Sequence, residues 1–261
     1  MGTDFLKIIV NAKKEEVASA KNRISESYLR GNLDPDRIKR PFLENLSQPG
    51  PGGINIIAEI KRASPSKGAI RLDLNPADYA AAYERGGACA ISVLTDAPYF
   101  KGSLDDLKTA GAHTRLPILR KEFIISSYQL YETAEARADA VLLIVRILEK
   151  NQLKDYLSLC RELDLDALVE IYAADEIETA AEAGAKLIGI NNRDLSSFST
   201  RIDRAMGLSA ELKPGQIPVA ASGITCREDI LNTKKTGIFN FLIGESLVRA
   251  ENPEGFLTSL F

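Results

Sequence analysis

Eight short runs of apolar residues, separated by intervals of roughly twenty to thirty-five residues, constrain the fold of this chain most strongly. Each run is long enough for a β-strand, and each interval leaves room for one crossover helix. Several runs are almost wholly apolar, as in parallel strands covered on both faces. We predict strands over residues 55–60, 90–94, 117–121, 140–145, 167–171, 187–191, 218–222 and 239–244.

The turns between these units support the same architecture. Gly87, Gly184 and Gly237 each follow a helical pattern and precede a predicted strand, where glycine can adopt the left-handed conformation that ends a helix. Eight βα units predict the α/β class and a (β/α)8 TIM barrel. A doubly wound open sheet is the alternative, but no GxGxxG motif follows the first strand.

The barrel begins only near residue 54, so the first part of the chain needs a separate interpretation. Residues 4–27 read as one helix with Phe5, Ile8, Ile9, Ala12 and Val17 on its apolar face. We divide the chain into an N-terminal helical extension packed on the barrel, 1–53, and the catalytic barrel, 54–261. Periodicity leaves open whether the extension caps the bottom of the barrel or forms a lid over the substrate.

Composition excludes several classes of function. A net charge of −3 argues against a nucleic-acid partner, and a single histidine, His113, argues against a His-rich metal site. Three scattered cysteines fit a reducing cytoplasm, where we place the protein. The sequence has neither a signal-peptide core nor a membrane-spanning run. We therefore expect no membrane association and no metal site built on paired histidines.

Charged side chains lie at the ends of the predicted strands, where the active site of such a barrel is found. Glu59 and Lys61 end the first strand on one face, because side chains alternate along a strand. Lys121 ends the third strand, and Glu170 lies in the fifth. These four groups fit acid–base chemistry on an anionic substrate. The alternative is a structural ion-pair network inside the barrel.

The loops after the last two strands form a second signal. Ser222 and Gly223 follow the seventh strand, and Gly244 and Glu245 follow the eighth. In these barrels the same two loops commonly hold a phosphate group. Ordinary turn glycines are the alternative. Phe100, in the loop after the second strand, could belong to the core or could hold an aromatic ring.

Eight sequence blocks, in order, resemble the indole-3-glycerol phosphate synthase family, carboxy-lyases that form the indole ring in tryptophan biosynthesis. The blocks are IIAEIKRASPSKG, SVLTDAPYFKGS, LRKEFI, LLIVRIL, LVEI, IGINNRDL, SGI and FLIGESLVRAENP. The resemblance implies ring closure, decarboxylation and dehydration of 1-(2-carboxyphenylamino)-1-deoxyribulose 5-phosphate, without a cofactor and without a metal. The implied partner is thus a small phosphorylated substrate derived from anthranilate, and we expect a monomer or a weak homodimer.

The resemblance also implies a role for each site residue. Lys121 is the general acid, Glu170 is the acid–base carboxylate, and Glu59 and Lys61 assist. Lys61 also neutralises the substrate anions. The resemblance implies that the polar part of the pocket consists of Ser64, Asn191 and Arg193. It implies that the aromatic ring contacts Phe100, Phe123 and Leu142. It implies that the phosphate loops contain Ser222, Gly223, Gly244 and Glu245, the last acting mainly through its backbone.

One departure from the family pattern affects the predicted site. The family usually reads Glu-Ser-Gly-Ile after the seventh strand, whereas this chain has Ala221 before Ser222. A carboxylate of the usual pocket is therefore missing. Two alternatives remain: a catalytically weakened homologue that binds the phosphorylated ligand, and a sibling barrel such as phosphoribosylanthranilate isomerase. The isomerase uses a cysteine near the start of the barrel, and the first strand here has none.

Overall fold

Eight parallel strands form a closed barrel in the computed structural model, which describes residues 5–194 and 199–261. The strands of the barrel are β1 (Asn55–Ile60), β4 (Ala90–Leu94), β5 (Ile118–Lys121), β6 (Ala140–Ile144), β7 (Asp166–Ile171), β8 (Leu187–Asn191), β9 (Ile217–Ala221) and β10 (Asn240–Ile243). A hairpin of β2 (Ala63–Ser64) and β3 (Gly68–Ala69) follows the first strand. Each predicted strand is confirmed to within one residue at either end.

Helices follow the strands around the outside of the barrel, as in a TIM barrel. They are α4 (Pro76–Arg85), α5 (Ala97–Phe100), α6 (Leu104–Ala112), α7 (Ser127–Glu135), α8 (Lys150–Glu162), α9 (Asp175–Glu182), α10 (Asp203–Ser209), α11 (Arg227–Lys234), α12 (Glu245–Arg249) and α13 (Pro253–Ser259). β1 pairs with both β4 and β10, which closes the sheet. The (β/α)8 prediction is therefore confirmed.

Side-chain alternation divides the core into two layers. Ile57, Leu119 and Leu242 belong to a cluster inside the barrel. Ile56 and Ile91 belong to a larger cluster between the strands and the outer helices. The strands therefore read as almost continuously apolar because both of their faces are buried. A polar side chain on an inward position near the carboxyl end of a strand therefore lies at the mouth of the barrel.

The extension contains α1 (Phe5–Arg23), α2 (Glu26–Gly31) and α3 (Phe42–Ser47). The prediction of one continuous helix over 4–27 was wrong at its end. The Ser25 side chain accepts a hydrogen bond from the backbone N–H of Tyr28, which caps a new helix and interrupts the first. The predicted start at Asp4 lies outside the described residues.

The two ends of the extension cover opposite ends of the barrel. Leu46 in α3 is buried, and its carbonyl accepts a hydrogen bond of 3.1 Å from the side chain of Asn240 at the start of β10. In α1, Phe5 and Ile9 line a cavity at the carboxyl ends of the strands. Helix α3 therefore lies at the bottom of the barrel, as the cap interpretation expects. Helix α1 lies over the cavity, as the lid interpretation expects. The domain boundary at residue 53 stays a prediction.

The buried face of α1 also differs from the predicted one. Ile8 is 41% exposed, whereas Leu6, Ile9, Lys13 and Val17 are buried. These four positions form a single stripe along the helix. Within the residues that the structure describes, no helix has the length and apolarity needed to cross a membrane.

Candidate active site

The carboxyl end of the barrel holds two neighbouring cavities. The outer cavity, about 470 Å³, is lined by the loops that follow β1, β8, β9 and β10. The inner cavity, about 60 Å³, lies between α1 and the ends of β1, β4, β5 and β8. Both cavities are lined by Glu59, Lys61, Ser66, Arg193 and Ser222. The two cavities therefore adjoin, with charged side chains at their common boundary.

Glu59 and Lys61 form a close ion pair between the two cavities. The Nζ of Lys61 donates to Oε1 of Glu59 over 2.6 Å, because period-two alternation along β1 brings both side chains to the inner face. Burial alone would raise the pKa of Glu59, but the ammonium groups of Lys61 and Lys121 hold that pKa below its ordinary value. Glu59 is therefore a carboxylate at neutral pH.

Lys121 and Glu170 form a second pair across the barrel mouth. The Nζ of Lys121 lies 3.5 Å from Oε2 of Glu170, and the Asn191 amide donates to Oε1 of the same carboxylate over 3.1 Å. Burial opposes the charge on Lys121, but the carboxylates of Glu170 and Glu59 outweigh it and raise the lysine pKa. Lys121 therefore carries a proton at neutral pH and can donate it.

Arg193 connects three of the loops around the outer cavity. Its guanidinium donates to Ser66 Oγ over 3.0 Å and to Glu245 Oε2 over 3.2 Å, and its backbone N–H donates to Asn191 Oδ1 over 3.0 Å. Burial would raise the pKa of Glu245, but hydrogen bonds from Arg193 and Arg249 lower it. The Glu245 side chain thus orients the Arg193 guanidinium at the rim of the outer cavity.

The loops after β9 and β10 bring backbone close to the outer cavity. Ser222 and Gly223 both have left-handed φ angles, +70° and +85°. A Cβ on Gly223 would lie 2.7 Å from the Thr200 methyl group, and a Cβ on Gly244 would overlap the carboxylate of Glu59. Both positions therefore require glycine for this packing. Lys61, Lys67, Arg193 and Arg249 also line the outer cavity, which suits an anion.

The inner cavity has an apolar wall. The rings of Phe100 and Phe123 lie 6.1 Å apart between centroids, and both line the cavity beside Lys121. Phe5 and Ile9 of α1 close the opposite side. Two rings beside an ammonium group form a wall suited to contact with a flat aromatic group.

Almost all of the predicted site residues meet around these cavities. Ser64 lines the inner cavity, and Glu170 lines a small neighbouring space with Asn191. Leu142 lies lower in the barrel: it is 1% exposed, shares the interior cluster with Phe123 and is not among the residues lining the two cavities. In the register of β6 with β7, Ile144 pairs with Glu170, one layer above Leu142. Contact between Leu142 and the ligand stays a prediction.

The sequence interpretation did not include several residues that line the site. Ser66 and Lys67 were quoted only within a motif, and Phe5 and Ile9 were assigned only to an apolar helix face. Only the folded structure shows that these residues line the site, because the loop after β1 and helix α1 lie over the same end of the barrel. The signal in the sequence was the polar loop after β1, which is longer than a simple turn requires.

Solved structures similar to this chain show the same fold. A thiamine phosphate pyrophosphorylase from Pyrococcus furiosus has a TM-score of 0.59 at 17% identity, covering 79% of this chain and 93% of its own. An N-acetylmannosamine-6-phosphate 2-epimerase from Clostridium perfringens has a TM-score of 0.62 at 14% identity, covering 82% of this chain and 93% of its own. At these identities the likeness concerns the barrel fold alone.

Sequence comparison is far more specific. The family model for indole-3-glycerol phosphate synthase matches residues 6–260. The indole-3-glycerol phosphate synthase of Desulfosudis oleivorans is 60% identical over 98% of each chain. That of Syntrophobacter fumaroxidans is 50% identical over 99% of this chain and 98% of its own. Together with the paired lysines and carboxylates at the barrel mouth, these matches show that the chain belongs to the indole-3-glycerol phosphate synthase family.

Proposed function

We propose that this chain converts 1-(2-carboxyphenylamino)-1-deoxyribulose 5-phosphate into indole-3-glycerol phosphate, CO2 and water, with Lys121 and Glu170 as the central proton-transfer groups. The observation that carries the proposal is their ion pair, 3.5 Å long, beside an aromatic wall and next to a cationic cavity. The family membership supports the reaction, and the geometry supports these roles.

The substrate has an aryl end and a phosphate end that match the two cavities. The phosphate binds in the outer cavity, near Gly223 and Gly244, where Lys61 and Arg193 supply positive charge. The aryl ring binds in the inner cavity against Phe100 and Phe123. The ketone carbon between them then lies near Lys121.

Ring closure is the step that Lys121 serves. The aryl carbon bearing the carboxylate bonds to the ketone carbon, and negative charge develops on the ketone oxygen. The Lys121 ammonium donates a proton to this oxygen, which becomes a hydroxyl group. Loss of CO2 returns the electron pair of the broken carbon–carbon bond to the ring. Lys121 regains its proton from solvent, so that each turnover takes up one proton.

Dehydration requires two further proton transfers, which we assign to Glu170. Glu170, which pairs with Lys121 as a carboxylate in the resting site, first takes up a proton from solvent. In this acid form it protonates the departing hydroxyl, which leaves as water. The carboxylate then removes a proton from the carbon next to the ring nitrogen, which completes the indole, and release of that proton to solvent restores the resting carboxylate. The hydrogen bond of 3.1 Å from Asn191 orients the carboxylate for both transfers. Glu59 holds Lys61 in place beside the substrate anions.

The family matches support this synthase over the alternatives of an isomerase or a binding-only homologue. The direct test is turnover by the purified chain, followed by the fluorescence of the newly formed indole. We expect steady product formation without added metal or cofactor. Binding of the substrate without any rise in indole fluorescence would contradict the proposal.

A further inference from the structure

Lys13 is a buried lysine on the helix that covers the inner cavity. Its side chain is 1% exposed, and its Nζ lies 2.8 Å from Glu16, 3.0 Å from Asp96 and 3.0 Å from Glu122. Asp96 and Glu122 are themselves buried, whereas the Glu16 side chain is 41% exposed. The Asp96 and Glu122 carboxylates outweigh the cost of burial and raise the pKa of Lys13, so the group remains an ammonium ion.

The two buried carboxylates also accept hydrogen bonds from backbone N–H groups at and near Phe100 and Phe123. Asp96 Oδ2 accepts hydrogen bonds from the N–H groups of Tyr99, over 2.9 Å, and Phe100, over 3.2 Å. Glu122 Oε1 accepts a hydrogen bond of 2.8 Å from the N–H of Phe123. One ammonium therefore connects α1 to the two loops that carry Phe100 and Phe123.

Each carboxylate depends on Lys13 in a different way. Within residues 5–194 and 199–261, Asp96 Oδ1 accepts no hydrogen bond of regular geometry, and its charged partner is the Lys13 ammonium at 3.0 Å. Glu122 Oε1 contacts both Lys13 and the Phe123 backbone, while Glu122 Oε2 accepts a hydrogen bond of 2.8 Å from Thr95. Removing the ammonium would leave Asp96 Oδ1 without its charged partner, and Glu122 would keep the Arg120 guanidinium, 3.9 Å from Oε2.

Stability alone does not require a lysine here. A buried ion pair is often no more stabilising than apolar side chains of similar volume. The neighbouring positions on the same stripe, Ile9 and Val17, are apolar. A charge at this position instead fixes the direction of its partners, since ion pairs and charged hydrogen bonds depend on geometry.

We propose that Lys13 is a positioning residue for the aryl end of the substrate: it holds α1, the Phe100 loop and the Phe123 loop in the arrangement that encloses the ring. The inference rests on the proposed function for the identity of the aryl group. The phosphate end is bound by other loops, so its binding does not depend on Lys13. Loss of the ammonium therefore weakens aryl binding selectively.

The test compares two ligands that report the two ends separately. Calorimetric titration with anthranilate measures the inner cavity, and titration with inorganic phosphate measures the outer cavity. Lys13→Met keeps the length of the side chain and removes its charge. We expect its anthranilate affinity to fall by roughly tenfold or more, and its phosphate affinity to stay within about twofold. Lys14→Met, on the exposed side of the same helix, is the matched control and should change neither affinity.

Two further variants cover the case in which Lys13→Met does not fold. Lys13→Met combined with Asp96→Asn removes one buried charge of each sign, and Lys13→Arg retains the cation. We expect the double variant to fold and still to bind anthranilate weakly, and we expect Lys13→Arg to recover part of the affinity. Equal loss for both ligands, or unchanged anthranilate binding, would overturn the inference. Neither titration needs turnover, so failure of the proposed reaction would be seen separately, as absent product from the unmodified enzyme.

Discussion

The ammonium of Lys121 lies 3.5 Å from the Glu170 carboxylate, although one strand, β6, separates the two strands that carry them. The pair spans the inside of the barrel rather than two neighbouring strands. It therefore lies at the carboxyl ends of the strands, where Lys121 also lines the inner cavity. The 3.1 Å hydrogen bond from Asn191 fixes the second carboxylate oxygen and leaves the first to Lys121.

The first prediction concerns the pH dependence of the general acid. Glu170 and Glu59 together raise the pKa of Lys121 against the effect of burial. Glu59→Gln removes one of these charges, so the lysine pKa should fall, and Lys121 should lose its proton at a lower pH. We expect the alkaline fall in kcat/KM to begin at a lower pH than in the unmodified enzyme, measured from neutrality to the highest pH at which the enzyme stays folded.

Glu44→Gln is the control for this profile. Glu44 is exposed on α3, at the opposite end of the barrel, and its loss should leave the alkaline limb in place. An alkaline limb that does not move in Glu59→Gln would show that Glu59 does not set the protonation of Lys121.

The second prediction concerns the outer cavity. If Gly223 and Gly244 border the phosphate site, inorganic phosphate should inhibit competitively against the substrate. A crystal soaked in sulfate should show the anion between these two loops. Anion density confined to lysines elsewhere on the surface would count against this assignment.

The third prediction concerns the close approach at Gly244. A Cβ there would lie 3.0 Å from the Glu59 Cβ and would overlap the carboxylate, so Gly244→Ala should displace the Glu59–Lys61 pair. We expect kcat/KM to fall on the order of 10- to 100-fold. Gly207→Ala is the matched control, because nothing lies within 4 Å of its added Cβ, and its activity should be unchanged. Full activity in Gly244→Ala would mean that the pair tolerates displacement.

The fourth prediction concerns Ala221, where the family pattern has glutamate. Ala221 is 3% exposed at the end of β9, in the interior cluster with Leu242 and in register with Asn191. A carboxylate at this position would add a negative charge near Lys61. We expect Ala221→Glu to raise kcat/KM, measured at the same pH and salt, with little loss in the free energy of unfolding.

Ala221→Gln separates charge from volume, because it adds the same length without the negative charge. It should give no increase. An equal or lower kcat/KM in Ala221→Glu would indicate that this chain has repacked around alanine.

The strand ends and the pairing of charges could be predicted from the sequence for a simple reason. Backbone alternation places Glu59 and Lys61 on one face, and closure of a parallel barrel brings the ends of all strands together. The height of a side chain inside the barrel could not be predicted in the same way. Leu142 lies below the cavities because the register of β6 against β7, which sets its height, depends on contacts between strands.

The role of Lys13 could not be found from periodicity. A lysine on a helix is usually solvent-exposed, and only its partners at Asp96 and Glu122, far along the chain, make its burial possible. A charged residue, Lys13, occupies a core-facing position of the buried stripe on α1, which also contains Leu6, Ile9 and Val17. This charge within an apolar stripe was the feature of the sequence that indicated a buried ion pair.

The most direct test of the account is the turnover of Lys121→Ala, measured alongside its substrate affinity. Removing a positioned proton donor should lower kcat by on the order of a hundredfold or more, while the dissociation constant of the substrate changes much less. A kcat equal to that of the unmodified enzyme would remove Lys121 from the mechanism and contradict the assignment of its pair with Glu170.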